Sequence, residues 1–144
     1  MTELAGIHHL GLTVLDAERS ARWYHDVLDF YEVGRLGDPG DERSKIFLRH
    51  DGFPIRLGLV SHRDGPRQRF DETIAGLDHL SFAVPDRRSL ERWCLRFEEL
   101  GIEYTPVTSA NSIPGAAVAV FRDPDNIQLE LFVEATEPPV LQSR

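Results

Sequence analysis

The chain repeats itself. Residues 7–16 read Ile-His-His-Leu-Gly-Leu-Thr-Val-Leu-Asp, and residues 77–86 read Leu-Asp-His-Leu-Ser-Phe-Ala-Val-Pro-Asp. At an offset of 70, His9 falls on His79, Leu10 on Leu80, Val14 on Val84, Asp16 on Asp86 and Trp23 on Trp93. A two-residue insertion then brings Asp51 onto Asp123, and Ile55-Arg56-Leu57-Gly58-Leu59 onto Ile127-Gln128-Leu129-Glu130-Leu131, at an offset of 72. Three matches in the same order, separated by one small insertion, mark a duplicated module. The 144 residues therefore divide into a first module over 1–62, a linker over 63–76, a second module over 77–134 and a C-terminal tail over 135–144. The linker is polar and turn-rich; the tail, with Pro138-Pro139, is expected to be loosely held or used as an arm.

Each half reads as strand, helix, then strands. In the opening strand Leu10, Leu12 and Val14 alternate with His9, Gly11 and Thr13. Asp16 caps a helix whose apolar residues Ala17, Ala21, Tyr24, Val27 and Leu28 keep helical spacing. Asp86 caps its counterpart, in which Leu90, Trp93, Cys94, Phe97 and Leu100 form the stripe and Gly101 the stop. Short strands follow, clearest at 46–49, 54–60, 117–122 and 127–133. The loop over 105–115, small, polar and Pro-containing, reads as a lid.

Charge and cysteine usage narrow the function. With 24 acidic against 16 basic residues the formal charge is -8, which argues against nucleic acid or an anionic membrane as the partner. Cys94 is the single cysteine; it offers no disulfide and no thiolate cluster, and its place on the helical stripe makes it buried filler. No apolar run reaches membrane-spanning length and no leader pattern is present, so a cytoplasmic setting is expected.

Alternation has a chemical consequence. The apolar set of each strand must face its helix, so the opposite set faces a ligand. That set is His9, Gly11 and Thr13 with His79, Ser81 and Ala83 from the opening strands, and Arg56, Gly58 and Val60 with Gln128, Glu130 and Phe132 from the last ones. Two repeat-equivalent imidazoles and one carboxylate, His9, His79 and Glu130, make a 2-His-1-carboxylate set for a divalent metal with open positions. The ligand types do not discriminate among Fe, Mn, Zn, Ni and Mg. Arg49 and Arg56 fall on the same face and suit a substrate carboxylate or phosphate. Phe47, Phe121 and Phe132 are expected to form an apolar wall, with Gln128 beside them. His8 alternates toward the helix and reads as structural. His25 reads as an exposed helix residue, while His50 and His62 stand where they could reach a site's mouth.

The run His9-Leu-Gly-Leu-Thr-Val, the helix segment Trp23-Tyr24-His25-Asp26-Val27-Leu28 and the stretch from Asp123-Pro124-Asp125-Asn126 to Glu130-Leu131-Phe132 resemble the vicinal oxygen chelate superfamily, over about residues 5–134. That group contains glyoxalase I, extradiol dioxygenases, methylmalonyl-CoA epimerase, fosfomycin-resistance enzymes and bleomycin-binding proteins. The resemblance implies an α+β fold of two βαβββ modules, whose curved mixed sheets enclose a metal cavity. It also implies a homodimer, in some members with modules exchanged between chains, an arrangement in which His9 would share a metal with Glu130 of a partner copy. The function it implies is metal-dependent catalysis on a small, oxygen-chelating organic substrate, by a lyase, isomerase, transferase or dioxygenase. The alternative it leaves open is a drug-binding protein without catalysis, like the bleomycin-resistance members.

Departures from the family patterns are specific. Gly58 stands where glyoxalase I carries a fourth ligand. Val120, with Asn111 and Ser112 nearby, stands where extradiol dioxygenases carry a Tyr and a His. Gly11 replaces the Thr of fosfomycin thiol transferases. No dedicated general base is legible: Gln128 cannot accept a proton, and Glu130, the catalytic carboxylate, could do so only by leaving the metal.

Overall fold

A computed structural model describes residues 2–109 and 113–134. Asn111 and Ser112, part of the expected lid, and the tail with Pro138-Pro139 lie outside the described residues. The chain forms two compact units. One runs through Phe70 and includes Asp123–Asn126; the other takes Asp71–Arg122 and resumes at Ile127.

In the first unit the order is β1 (His9–Thr13), α1 (Ala17–Leu28), β2 (Tyr31–Leu36), β3 (Arg43–His50) and β4 (Phe53–His62). The sheet order is β1-β4-β3-β2. β1 lies parallel to β4 with His9 opposite Arg56 and Gly11 opposite Gly58, and β3 is antiparallel to β4 with Phe47 opposite Gly58. Asp16 caps α1 by accepting from the Arg19 amide, and Asp29 ends it in the left-handed region at φ 59°. The core lies between α1 and one sheet face: Leu12, Val14, Ile46, Leu48, Leu57 and Leu59 are buried with Tyr24, Val27 and Leu28. Covering that apolar surface is what holds the sheet to its helix.

The second unit repeats the plan with β5 (Leu80–Ala83), α2 (Arg87–Leu100), β6 (Thr108–Ser109), β7 (Ala117–Arg122) and β8 (Gln128–Val133), in sheet order β5-β8-β7-β6. Asp86 caps α2 through the Ser89 amide, and Gly101 closes it at φ 68°. Leu90, Phe97, Phe121, Leu129 and Leu131 are buried, with the Phe97 and Phe121 ring centroids 4.6 Å apart. Cys94 is buried here as expected, and burial pushes its thiol pKa up, which keeps it unreactive. Leu100 departs from the expected stripe, being exposed on the last turn.

Two βαβββ modules are therefore present, but the expected curvature is not. Neither sheet curls or closes to enclose a metal cavity. Each is an open four-stranded sheet, with β1 and β2 as edges in one and β5 and β6 in the other. Four short strands are too few to close on themselves, which takes about eight. No helix among the described residues is long and apolar enough to cross a membrane.

Candidate functional site

In the second unit, alternation places Leu129, Leu131 and Val133 in the core and turns Gln128, Glu130 and Phe132 to the opposite face. His79 stands one residue ahead of β5, whose Ser81 pairs with Glu130. That diagonal brings His79 Nε2 to 3.6 Å from Glu130 Oε2. The other ring nitrogen, Nδ1, lies 2.6 Å from Asp78 Oδ1. Asp78 thereby fixes the ring and raises the His79 pKa, with the Glu130 charge adding to the effect. A carboxylate on the far nitrogen and a second carboxylate facing the near one is the arrangement found around metal-binding imidazoles. Glu130 is the single carboxylate among the outward positions of β5, β7 and β8.

His9 stands on the outward face of β1 in the first unit, exposed, with its Nδ1 2.9 Å from Nδ1 of His8. Among the described residues no group of three or more His, Cys, Asp or Glu gathers closely enough to hold a metal ion. The chain thus brings His79 and Glu130 together, an imidazole nitrogen facing a carboxylate oxygen.

The remaining candidates separate by face. Arg56 and Phe47 stand on the outward face of the first sheet, as expected, and Arg49 alternates onto it with its Nε buried and without a hydrogen-bond partner. Phe132 is half-buried and outward on β8. Phe121 instead alternates with Ala117 and Ala119 onto the core side of β7, where it is 1% exposed against Phe97. It cannot wall a ligand there. Gln128 is outward but engaged, accepting from Arg122 at 2.9 Å. Arg122 also clamps Glu72 with two hydrogen bonds of 2.7 and 3.0 Å, a pairing across 50 residues that no local pattern announces.

The other histidines resolve into structural roles, with one exception. His8 is exposed rather than packed toward the helix, because it precedes the first strand. His25 Nδ1 meets the Phe30 carbonyl at 2.8 Å, and His50 accepts from the Gly52 amide and stacks on Phe53. His62 lines a cavity of about 280 Å³ in the first unit with Thr13, Leu15, Arg67, Phe70 and Asp125. The expected lid begins in part as β6, which pairs with β7 through Thr108 and Val118.

The Asp123–Asn126 run proves to be a structural turn. Asp125 is buried, accepts from the Leu15 amide at 2.8 Å and pairs with Arg19. Asp123 accepts from the Tyr24 hydroxyl at 3.2 Å and from the Asp125 amide at 2.8 Å. Asn126 takes the left-handed conformation at φ 71° and donates to the Phe70 carbonyl.

A fold of this kind has counterparts among known proteins. A domain described as glyoxylase/bleomycin resistance protein/dioxygenase from Frankia sp. EAN1pec is 36% identical, with a TM-score of 0.80 over 92% of this chain and 99% of that one. The glyoxalase family protein of Enterococcus faecalis is 25% identical, with a TM-score of 0.74 over 89% of this chain and 97% of that one. Fosfomycin resistance protein FosX of Listeria monocytogenes, solved with Mn(II) and sulfate, shares the fold at 17% identity and a TM-score of 0.67, covering 93% of this chain and 96% of that one. No curated protein matches the chain. The family profile described as Glyoxalase/Bleomycin resistance protein/Dioxygenase superfamily matches residues 6–131, which is most of both modules, and the chain belongs to that superfamily.

Proposed function

We propose that the protein is a metal-dependent enzyme acting on a small, anionic organic molecule that presents two neighbouring oxygens. The observation that carries this reading is the Asp78–His79–Glu130 arrangement, an oriented imidazole nitrogen 3.6 Å from an outward carboxylate oxygen. His79 and Glu130 would hold a divalent cation; the Listeria relative was solved with Mn(II). When bound, the cation supplies Lewis-acid polarisation of substrate oxygens. Asp78 keeps the His79 ring in one orientation and leaves Nε2 as the donor nitrogen. Arg56 and Arg49 bind the substrate's negative charge, and Phe47 and Phe132 contact its apolar part. Reactions that build negative charge on oxygen suit such a set, so a lyase, isomerase or transferase is as well served as a dioxygenase.

Metal content tests this directly. Untagged wild-type protein should carry stoichiometric divalent metal by elemental analysis, and His79→Ala should lose it. Metal-free wild type that takes up none on reconstitution would remove the enzyme reading. A second reading then stands, a binding protein without catalysis, favoured by the gathering of two donors rather than three among the described residues.

A further inference from the structure

The first sheet departs from the repeat at one place, and a lysine fills it. The register sets Val120 opposite Glu130 in the second unit and Phe47 opposite Gly58 in the first. Gly58 is thus the counterpart of Glu130, and Lys45, two residues before Phe47, is the counterpart of Val118. An apolar residue and a carboxylate in one sheet are exchanged for a lysine and a glycine in the other.

The geometry shows why the two changes go together. A Cβ on Gly58 would stand 2.3 Å from Lys45 Cε and 3.0 Å from its Nζ, so the lysine side chain lies in the space that any other residue at 58 would occupy. Lys45 is only 9% exposed. Its ammonium lies 4.5 Å from the centre of the Phe47 ring, and among the described residues it has no hydrogen bond or ion pair. Lysines this covered are almost always paired with an acid. None of the outward positions of β1–β4 carries one: they hold His9, Gly11 and Thr13, then Pro54, Arg56, Gly58, Val60 and His62, then Arg43, Lys45, Phe47 and Arg49, then Tyr31, Gly34 and Leu36. Asp51 in the β3–β4 turn is engaged elsewhere, accepting from the Tyr31 hydroxyl at 2.9 Å. Beside Gly58, its partner Gly11 is open, since a Cβ there would meet nothing within 4 Å.

We infer that Lys45 is the central residue of an oxyanion-binding site on the outward face of the first sheet, taking a carboxylate or phosphate group of the substrate over Gly11 and Gly58. Arg49, with its buried unpartnered Nε, and Arg56 lie on the same face, beyond Phe47 and Gly58 along their strands. The missing acid is supplied by the ligand. A face crowded with cations in a chain of net charge -8 selects anions while the remaining surface repels them. This deepens the proposal of an anionic substrate and names the residue that reads its charge; it does not depend on the metal.

Lys45 is the only lysine in the sequence, so selective 13Cε-lysine labelling gives one resonance from the full chain. Titrating inorganic phosphate, and separately acetate, into the protein before and after chelation of metal should shift that resonance saturably. Sodium chloride at matched ionic strength should not. Gly58→Glu, which seats a carboxylate against the ammonium, should abolish the shift, and Lys45→Met should weaken phosphate binding by calorimetry about tenfold or more. An unsaturable shift, or one reproduced by chloride, overturns the inference without reference to either variant. Saturable binding to protein that takes up no metal upholds it even as the metal-dependent reading falls.

Discussion

Tyr24 is fully buried, and its hydroxyl reaches Asp123, ninety-nine positions later. Burial, then the neighbouring carboxylates, push the phenol well above its ordinary pKa, so it stays a neutral donor. Tyr24→Phe removes a donor to a buried carboxylate. The cost is expected at about 1–3 kcal/mol in urea denaturation, and a loss below about 0.5 kcal/mol would refute this role. His79 supplies the pH-sensitive case. Its folded pKa lies above the ordinary histidine value, chiefly through Asp78. Its stabilising contribution is therefore fully present on the acid side of that ordinary value and is lost as pH rises through the raised one. Asp78→Asn should lower the midpoint of the His79 ring signals in an NMR titration; an unchanged midpoint would show that Asp78 does not hold the ring. His79 and Glu130 were readable from alternation and repeat equivalence. Lys45 was not, because its meaning depends on the empty place at Gly58, which only the cross-strand register reveals.

Helices and central strands were legible because each carries a complete local signal. Asp16 and Asp86 cap, Gly101 stops, and 117–122 alternates without interruption. β2 escaped notice for a physical reason: an edge strand, nearly all exposed, with a register shift between Glu32 and Gly34, shows no alternation to read. The aromatic character of Phe121 suggests the ligand face, whereas its parity with Ala117 and Ala119 puts it in the core. There its ring packs against that of Phe97 on α2, with centroids 4.6 Å apart. Phe97→Ala should cost about 3–5 kcal/mol by chemical denaturation, and a loss under about 1 kcal/mol would mean the core collapses around the deletion. The Glu72–Arg122 pair ties the segment ahead of β5 to β7. Arg122 holds the Glu72 pKa down at about 2, so the benefit exists above the ordinary glutamate range and disappears as pH falls through about 2. Glu72→Gln should make wild type and variant converge in an acid melting series while differing near neutrality. A gap that persists at the lowest pH would point to packing instead.

The duplicated sequence has produced two sheets of the same topology with different chemistry. One face presents His79 and Glu130; the other presents Lys45, Arg49 and Arg56. The sequence symmetry marks a repeated module, and the two faces differ where that symmetry breaks, with Lys45 and Gly58 against Val118 and Glu130. A metal held by His79 and Glu130 binds the folded chain alone, so saturating Mn(II) should raise the melting temperature. At a hundredfold excess over Kd the gain corresponds to about 2.7 kcal/mol. His79→Ala should abolish that rise, and an equal rise in the variant would place the metal elsewhere.

The turn at Asp123–Asn126 sits between two strands of the second unit yet is counted with the first. A gene cut after Phe70 would therefore yield a fragment whose Leu15 amide, Tyr24 hydroxyl and Arg19 have lost the acids that answer them. The first repeat is therefore finished by a turn that the second repeat supplies, so cutting the chain between the repeats strips three of its donors at once.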